Sequence, residues 1–419
     1  MGNLPPQVNQ ALALLEGAGF EAFLVGGAVR DLLRGVQVIE DWDVATNARP
    51  EQIRAAFAGW PLADTGGRHG TVTVRLDGQR LEITPYRVEA GYSDHRHPDA
   101  VRFVPSLRED LARRDFTVNA LAYHPRTGVI DLVGGRRDLA RGLIRCVGEP
   151  EARFREDGLR MLRALRFAST LSFRIEDATA RGMEQNRAFL TELAAERVRD
   201  ELTGLLCGPS AGRVVARFWR VLAGALPELA PPALGRRGWR RVGRALATLP
   251  PQPALRWTAL LWEGTGPSGA LAEGMLARLR LDRRTRAGVL RLLQGRTVPI
   301  QAGRKPLRRL ASRWGGEAAG QLLALQEAFT QGSGPRARRR RAELQRAGAL
   351  LEGLLRAGAC LSLRELAVDG HDLMTALGLR GQAVGRALQA CLEAVLEEQV
   401  ANDRADLLAF VRGWKGIDR

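Results

Sequence analysis

The sequence predicts an α+β fold: a small mixed β-sheet with helices in the first third of the chain, followed by helices alone. Three observations carry this. Residues 20–33 read as strand, glycine turn and helix; two alternating segments flank Asp77-Gly78; and from Glu156 to the end the apolar residues recur at helical spacing.

Residues 7–17 form the first predicted helix, with Leu12, Leu14 and Leu15 on its apolar side. It leads into a short strand at 20–25 that ends at Gly26-Gly27, and a helix runs from 28 to 33. A second strand is expected over 38–45. Arg49-Pro50-Glu51 then opens a helix with proline in its first turn. Thr71 to Arg75 alternate, Asp77-Gly78 supplies a two-residue turn, and residues 80–86 alternate again, which predicts an antiparallel hairpin. Residues 87–105 are polar and without period, so a loop is expected, containing Tyr92, Asp94, Arg96 and Asp99. Beyond residue 139 the strand signals fade. Helix breaks are expected near Cys207-Gly208-Pro209, at Pro250-Pro251, over 264–268 and over 332–335. Six of the eight tryptophans lie in the helical part, among them Trp219, Trp257 and Trp262, and read as core packing.

A length of 419 residues suits about three domains. Lys and Arg number 63 against 46 Asp and Glu, giving +17, and nearly all the positive charge is arginine. A polyanionic partner is expected, although arginine spread over solvated helix faces gives the same total. The run Arg336-Ala337-Arg338-Arg339-Arg340-Arg341 reads equally as a phosphate contact or a solvated helix start. Cys146, Cys207, Cys360 and Cys391 lack paired spacing, so neither a zinc site nor a disulfide framework is expected and a reducing cytoplasm fits. No apolar run approaches the roughly 20 residues of a membrane span, and no signal-peptide core is present, so no membrane partner is expected.

On a strand, residues i and i+2 share a face. Asp41 and Asp43 would present two carboxylates together, with Trp42 opposite, a pair suited to Mg²⁺ in nucleotidyl transfer. Glu82, on the second hairpin strand, is a candidate third carboxylate; a polar strand edge would read the same. Gly26 and Gly27 let a ligand approach the backbone ahead of a helix N-terminus. Gly27 and Arg30 are therefore candidates to hold a triphosphate, while Asp31 is expected to pair within the protein. The pattern matches neither the dinucleotide nor the P-loop glycine motif.

Asp157, Arg160, Arg163 and Arg166 recur every three residues, so the row drifts by about 60° per step. Asp157 and Arg160 are expected to face one side, with Arg166 turned away toward phosphate or RNA, while Leu159, Leu162 and Leu165 seat the helix. A carboxylate accepts from the exocyclic amino group of cytosine or adenine, and a guanidinium donates to the neighbouring ring nitrogen. Guanine and uracil reverse both polarities. Arg114, within Arg113-Arg114-Asp115, is a further candidate nucleotide contact, though that tripeptide also reads as a solvated charge cluster.

With these motifs in this order the chain resembles the bacterial class II tRNA nucleotidyltransferases, the CCA-adding enzymes, of the polymerase beta superfamily. The match rests on Leu24-Val25-Gly26-Gly27-Ala28-Val29-Arg30-Asp31, Asp41-Trp42-Asp43, Arg113-Arg114-Asp115-Phe116-Thr117-Val118-Asn119-Ala120 and Glu156-Asp157-Gly158-Leu159-Arg160-Met161-Leu162-Arg163. Glu196-Arg197-Val198-Arg199-Asp200-Glu201-Leu202 looks like the family's next motif, with a positioning role. Val368-Asp369-Gly370-His371-Asp372-Leu373-Met374 looks like its tail.

The resemblance implies a catalytic nucleotidyltransferase head over 1–140, a base-recognising neck over 141–207, a helical body over 208–360 and a tRNA-binding tail over 361–419. It implies addition of C, C and A to tRNA 3′ ends from CTP and ATP. Asp41 and Asp43 would be metal ligands, and Arg114, Asp157, Arg160, Arg163 and Arg166 nucleotide contacts. An A-only enzyme, a bacterial poly(A) polymerase and an RNA-binding protein without chemistry are the alternatives.

Overall fold

The computed structural model describes residues 4–64, 70–90, 100–266, 269–330, 332 and 334–414. They group into two compact units, Met1–Gly243 with Gly274–Leu281, and Arg244–Glu273 with Asp282–Arg419.

The first unit opens with α1 (Pro6–Gly17), β1 (Ala22–Val25), α2 (Gly27–Leu33), β2 (Trp42–Thr46), α3 (Pro50–Ala56), β3 (Leu62–Asp64), β4 (Val72–Leu76) and β5 (Gln79–Pro85). Next come β6 (Arg87–Ala90), β7 (Ala100–Phe103), α4 (Leu107–Ala112), β8 (Leu121–His124), β9 (Gly128–Asp131), α5 (Gly135–Ala140) and β10 (Leu143–Ile144). The unit continues through α6 (Pro150–Glu156), α7 (Leu159–Thr170), β11 (Arg174–Ile175), α8 (Asp177–Asn186), α9 (Ala195–Cys207), α10 (Ala211–Arg217) and α11 (Trp219–Ala225).

Seven strands form one sheet in the order β3-β4-β5-β2-β1-β8-β9, in which only the β2–β5 pair is parallel. Along β2 the side chains alternate. Trp42 and Val44 enter the core formed with α1 and α3, while Ala45 packs on the other face with Val25, Tyr86 and Leu111. Asp43 therefore lies on the face opposite Trp42, as the strand period requires.

The predicted hairpin is present as β4 and β5. Asp77 (φ 44°) and Gly78 (φ 85°) both take the left-handed conformation that a tight two-residue turn demands. Other expectations need correction. The second strand covers Trp42–Thr46 rather than 38–45, because residues 38–41 have no ladder partner, and Val38 is exposed. The expected loop over 87–105 includes an antiparallel pair, β6 with β7, joined from Arg87 opposite Phe103 to Ala90 opposite Ala100. Tyr92, Asp94, Arg96 and Asp99 lie outside the described residues. A short parallel pair, β10 with β11, lies beyond the point where strand signals fade.

The helical pattern from Glu156 is also broken at its start. Asp157 is extended (φ −141°, ψ 104°) and separates α6 from α7, its side chain accepting from the Leu159 N–H at the start of α7 in place of a helical position. The predicted stop after Cys207 holds, with Gly208 at the C-cap of α9.

Two helices, α12 (Arg236–Thr248) and α14 (Ala270–Arg278), straddle the division between the units. The second unit contains α13 (Pro253–Leu261), α15 (Arg283–Gln294), α16 (Arg304–Trp314), α17 (Gly316–Phe329), α18 (Pro335–Arg356), α19 (Gly370–Leu377), α20 (Gln382–Leu396) and α21 (Arg404–Gly413). Trp257 is fully buried and Trp262 stacks on Phe329 with ring centroids 5.6 Å apart, the core roles the sequence predicts. Trp219 is only half-buried, beneath the guanidinium of Arg220. Among the described residues no helix is long and apolar enough to cross a membrane.

Candidate active site

Three of the predicted motifs meet at one glycine. Gly26, between β1 and α2, adopts φ 72° and ψ −135°, a conformation that L side chains rarely take. A Cβ there would lie 3.2 Å from Nη1 of Arg114 and 3.4 Å from Oδ2 of Asp43. The bare backbone thus lets a guanidinium and a carboxylate close in on the turn. Parallel pairing of β2 with β5 sets Glu82 directly beside Asp43. Asp41 sits one residue ahead of β2 and is exposed.

Burial pushes the Asp43 carboxyl up to about 6; Arg114 opposes the rise, and the negative charges of Glu82 and Asp41 add to it. The site therefore concentrates carboxylate charge that one arginine does not neutralise. Hard oxygen donors with excess negative charge fit a divalent cation. Among the described residues no three acidic, imidazole or thiol groups already converge as a ligand set. Glu82 is half-turned to solvent and paired with Arg80.

The arginine at the turn is held from several sides. Asp110, buried at 1% exposure, receives Arg114 Nη2 at 3.1 Å and Arg113 Nη2 at 2.6 Å. Burial would raise the Asp110 carboxyl, but Arg114 and Arg113 hold it below the usual carboxylate range. Arg114 Nε is buried and has no hydrogen-bond partner among the described residues.

A second network ties the glycine turn to α7 and α9. Arg30 donates to both oxygens of Asp31, at 3.1 and 2.7 Å, and through Nη1 to Asn119 Oδ1 at 2.7 Å. Asn119 Nδ2 donates onward to Asp115 at 3.3 Å, and Asp115 accepts from Arg163 Nε at 2.8 Å and from the Phe116 N–H at 2.7 Å. Burial would raise the Asp115 carboxyl, but Arg163, the Phe116 N–H and Arg160 together hold it below the usual carboxylate range. Arg163 also lies 3.8 Å from Glu201 on α9, which receives Arg166 Nε at 2.6 Å. At the centre of this chain the Phe167 ring faces three guanidinium groups, Arg30 at 5.5 Å, Arg163 at 5.4 Å and Arg166 at 4.3 Å. Arg166 is thus drawn into the packing of α7 against α9, not directed toward phosphate or RNA as expected.

The expected acid–guanidinium pair is arranged differently as well. Asp157 Oδ1 accepts from the Leu159 N–H at 2.9 Å, capping α7, and Oδ2 accepts from Arg197 at 3.1 Å. Arg160 is buried, pairs with Glu156, and donates to the carbonyls of Arg153 at 3.2 Å and Arg113 at 3.4 Å. The two residues have separate partners because α6 ends at Asp157, which leaves it outside the helix that carries Arg160.

A model of the poly A polymerase head domain matches residues 22–145, and one of tRNA nucleotidyltransferase domain 2 matches residues 339–411. The CCA-adding enzyme of Lactiplantibacillus plantarum is 36% identical over 98% of this chain and 97% of its own length. That of Limosilactobacillus fermentum is 38% identical over 97% and 96%. The chain belongs to the CCA-adding enzyme family. It is a nucleotidyltransferase. The CCA-adding enzyme of Bacillus stearothermophilus, solved in complex with CTP, superposes with a TM-score of 0.74 at 31% identity over 98% of both chains. The Thermotoga maritima enzyme, solved with tRNA, shares the fold with a TM-score of 0.67 at 21% identity, over 98% of this chain and 96% of that one.

Three residues that organise the enzyme's site carry no role in the sequence: Asp110, Asn119 and Phe167; Arg197 and Glu201 lie in the motif expected to have a positioning role, but their partners were not indicated. Asp110 was legible, since it precedes Arg113 and Arg114 by three and four residues, the spacing at which side chains meet on a helix. Asn119 and Phe167 lie within or beside recognised motifs without a signal for their partners. Glu201 and Arg197 meet residues 35 and 40 positions away, which no local period encodes.

Proposed function

We propose that this enzyme adds C, C and A in turn to the 3′ end of tRNA, using CTP and ATP with Mg²⁺ and choosing the base with protein side chains instead of a nucleic-acid template. The observation that supports this most is the meeting of Asp43, Arg114 and the Gly26 backbone, with Glu82 in register and Asp41 adjacent. Asp41 and Asp43 would hold Mg²⁺, with Glu82 beside them. Bound there, the ion would polarise the ribose 3′-hydroxyl and offset charge on the leaving pyrophosphate. The Gly27 backbone and the adjacent Arg30 would receive the triphosphate, and Arg114, held beside the Gly26 turn, the nucleotide.

Asp157, Arg160 and Arg163 are assigned to the nucleotide. On this reading Asp157 exchanges Arg197, and Arg160 exchanges Glu156, for the base edge when a nucleotide enters. An unliganded acid and guanidinium would otherwise be costly to leave unpaired. The Arg166 contacts with Glu201 and Phe167 favour a supporting role on the same helix. The head, neck, body and tail are retained as functional parts over 1–140, 141–207, 208–360 and 361–419; the first compact unit spans the first two and the start of the third. Cytoplasmic location fits the four free cysteines.

The test offers tRNAs ending before CCA, after the first C and after CC, with CTP and ATP singly and together. Stepwise completion to CCA supports the reading; A-only, CC-only or poly(A) products overturn it. Asp41→Ala should abolish incorporation and leave tRNA binding nearly unchanged, and retained incorporation would refute the metal assignment.

A further inference from the structure

Phe167 stands where the arginines of α2 and α7 converge, and the reaction chemistry gives it no part. It is 6% exposed and meets Phe116 edge to face, with ring centroids 5.9 Å apart and planes at 83°. Phe116 is itself fully buried, so the two rings form a fixed block. Three guanidinium groups lie over the Phe167 ring: Arg30 from α2 at 5.5 Å, and Arg163 and Arg166 from α7 at 5.4 and 4.3 Å. Arg166 comes nearest. A Cβ at Gly204 on α9 would lie 2.6 Å from the Cδ of Arg166, so this stem fills the space that the glycine leaves and is held between two helices. Arg30 and Arg163, the two assigned to the incoming nucleotide, share the ring with it.

Neutrality does not require the ring. Arg30 has Asp31 at 2.7 Å, Arg163 has Asp115 at 2.8 Å and Arg166 has Glu201 at 2.6 Å. What an ion pair leaves open is the tilt of the guanidinium plane, because an arginine stem turns about several bonds. An aromatic face attracts the cation without occupying its N–H donors. A further carboxylate in the same place would hold those donors against an incoming phosphate. Among the described residues Arg30 commits three N–H groups, two to Asp31 and one to Asn119, out of the five that a guanidinium carries. The others stay open to a ligand.

We propose that Phe167 is a positioning residue for nucleotide addition: its ring sets the guanidinium planes of Arg30 and Arg163 so that both face the incoming nucleotide together, linking the glycine turn to α7. It rests on the nucleotide-binding reading above and assigns a residue that acts through those two arginines. A ring that only fills space would respond differently to change. Replacing it would cost stability alone, whereas fluorine on the ring alters its shape little and weakens the negative face that attracts a cation.

The test uses the full chain with phenylalanine at position 167 carrying one, two or three ring fluorines, beside Phe167→Leu. Phe57→Leu is the control, since Phe57 is fully buried in the core against α1 and the sheet and has no guanidinium over its ring among the described residues. Melting and steady-state incorporation into tRNA are measured. The KM for CTP and for ATP should climb with each fluorine by a common factor, reaching about three- to thirtyfold at three fluorines. The KM for tRNA and the melting temperature should stay parental across that series. Phe167→Leu should raise the nucleotide KM at least as far, while Phe57→Leu lowers the melting temperature and leaves the nucleotide KM unchanged. A parental nucleotide KM throughout the fluorine series, or an equal rise in Phe57→Leu and Phe167→Leu, overturns the proposal. A parent that incorporates nothing defeats the functional reading, and the Kd for CTP and ATP across the same series then decides the role of Phe167.

Discussion

Asn119 joins the two halves of the catalytic framework, and Asn119→Ala tests whether that link matters. Its carboxamide is buried between Arg30, at 2.7 Å, and Asp115, at 3.3 Å. A hydrogen bond to a charged group contributes about 1.5 to 3 kcal/mol, and the longer contact to Asp115 belongs at or below the lower end. Neither charge is orphaned by the substitution, because Arg30 keeps Asp31, and Asp115 keeps Arg163 and the Phe116 N–H. The larger penalty of stranding a buried ion therefore does not apply, and the expected cost is about 2 to 4 kcal/mol. For a unit of this size that corresponds to a fall in melting temperature of roughly 5 to 15 °C. Because Arg30 stands on the helix that follows Gly26-Gly27, the KM for CTP and ATP should rise several-fold while tRNA affinity holds. Calorimetry with steady-state incorporation measures both. Parental melting together with parental nucleotide KM would refute the reasoning.

Gly26→Ala should cost about 1 to 3 kcal/mol in backbone strain. By displacing Arg114 and Asp43 it should also lower kcat/KM by about ten- to a hundredfold, and normal kinetics would show that the close approach is incidental. Asp110 and Asp115 titrate below their unfolded values, so their stabilisation is complete above about pH 4 and disappears as pH falls through the folded-state values. Asp115→Asn should accordingly lose about 2 to 4 kcal/mol at neutral pH and show a flatter decline in acid, as read from denaturant melts across pH. A parallel decline would remove Asp115 from the account. Arg160→Ala should reduce discrimination against G and U by about 1 to 3 kcal/mol and weaken tRNA binding less; unaltered misincorporation would dismiss its part in base choice.

The sequence was most legible where short-range rules suffice. The Asp77-Gly78 hairpin, the Gly26-Gly27 turn, the helix start at Pro50 and the stop at Gly208 each depend on residues within one turn of each other. Burial of Trp42 opposite Asp43 follows from the two-residue period of a strand. Boundaries that depend on a partner strand are not legible in the chain. Residues 38–41 have strand-like side chains but nothing to pair with, whereas the polar segment at 87 finds its mate at 103. The break at Asp157 was equally hidden, because its carboxylate caps the following helix in the middle of a helical period that otherwise runs through the motif.

What the amino-acid order determined alone was the inventory: two carboxylates two residues apart, a paired glycine before a helix, an arginine row, and an excess of positive charge. Tertiary structure decided the pairing. It set Glu82 beside Asp43 through parallel strand register, directed Arg166 and Arg163 to Glu201, and gave Asp157 to Arg197. The physical reason is range. Propensity and periodicity act over a few residues, whereas a buried ion finds its counter-charge wherever the fold brings one within a few ångströms.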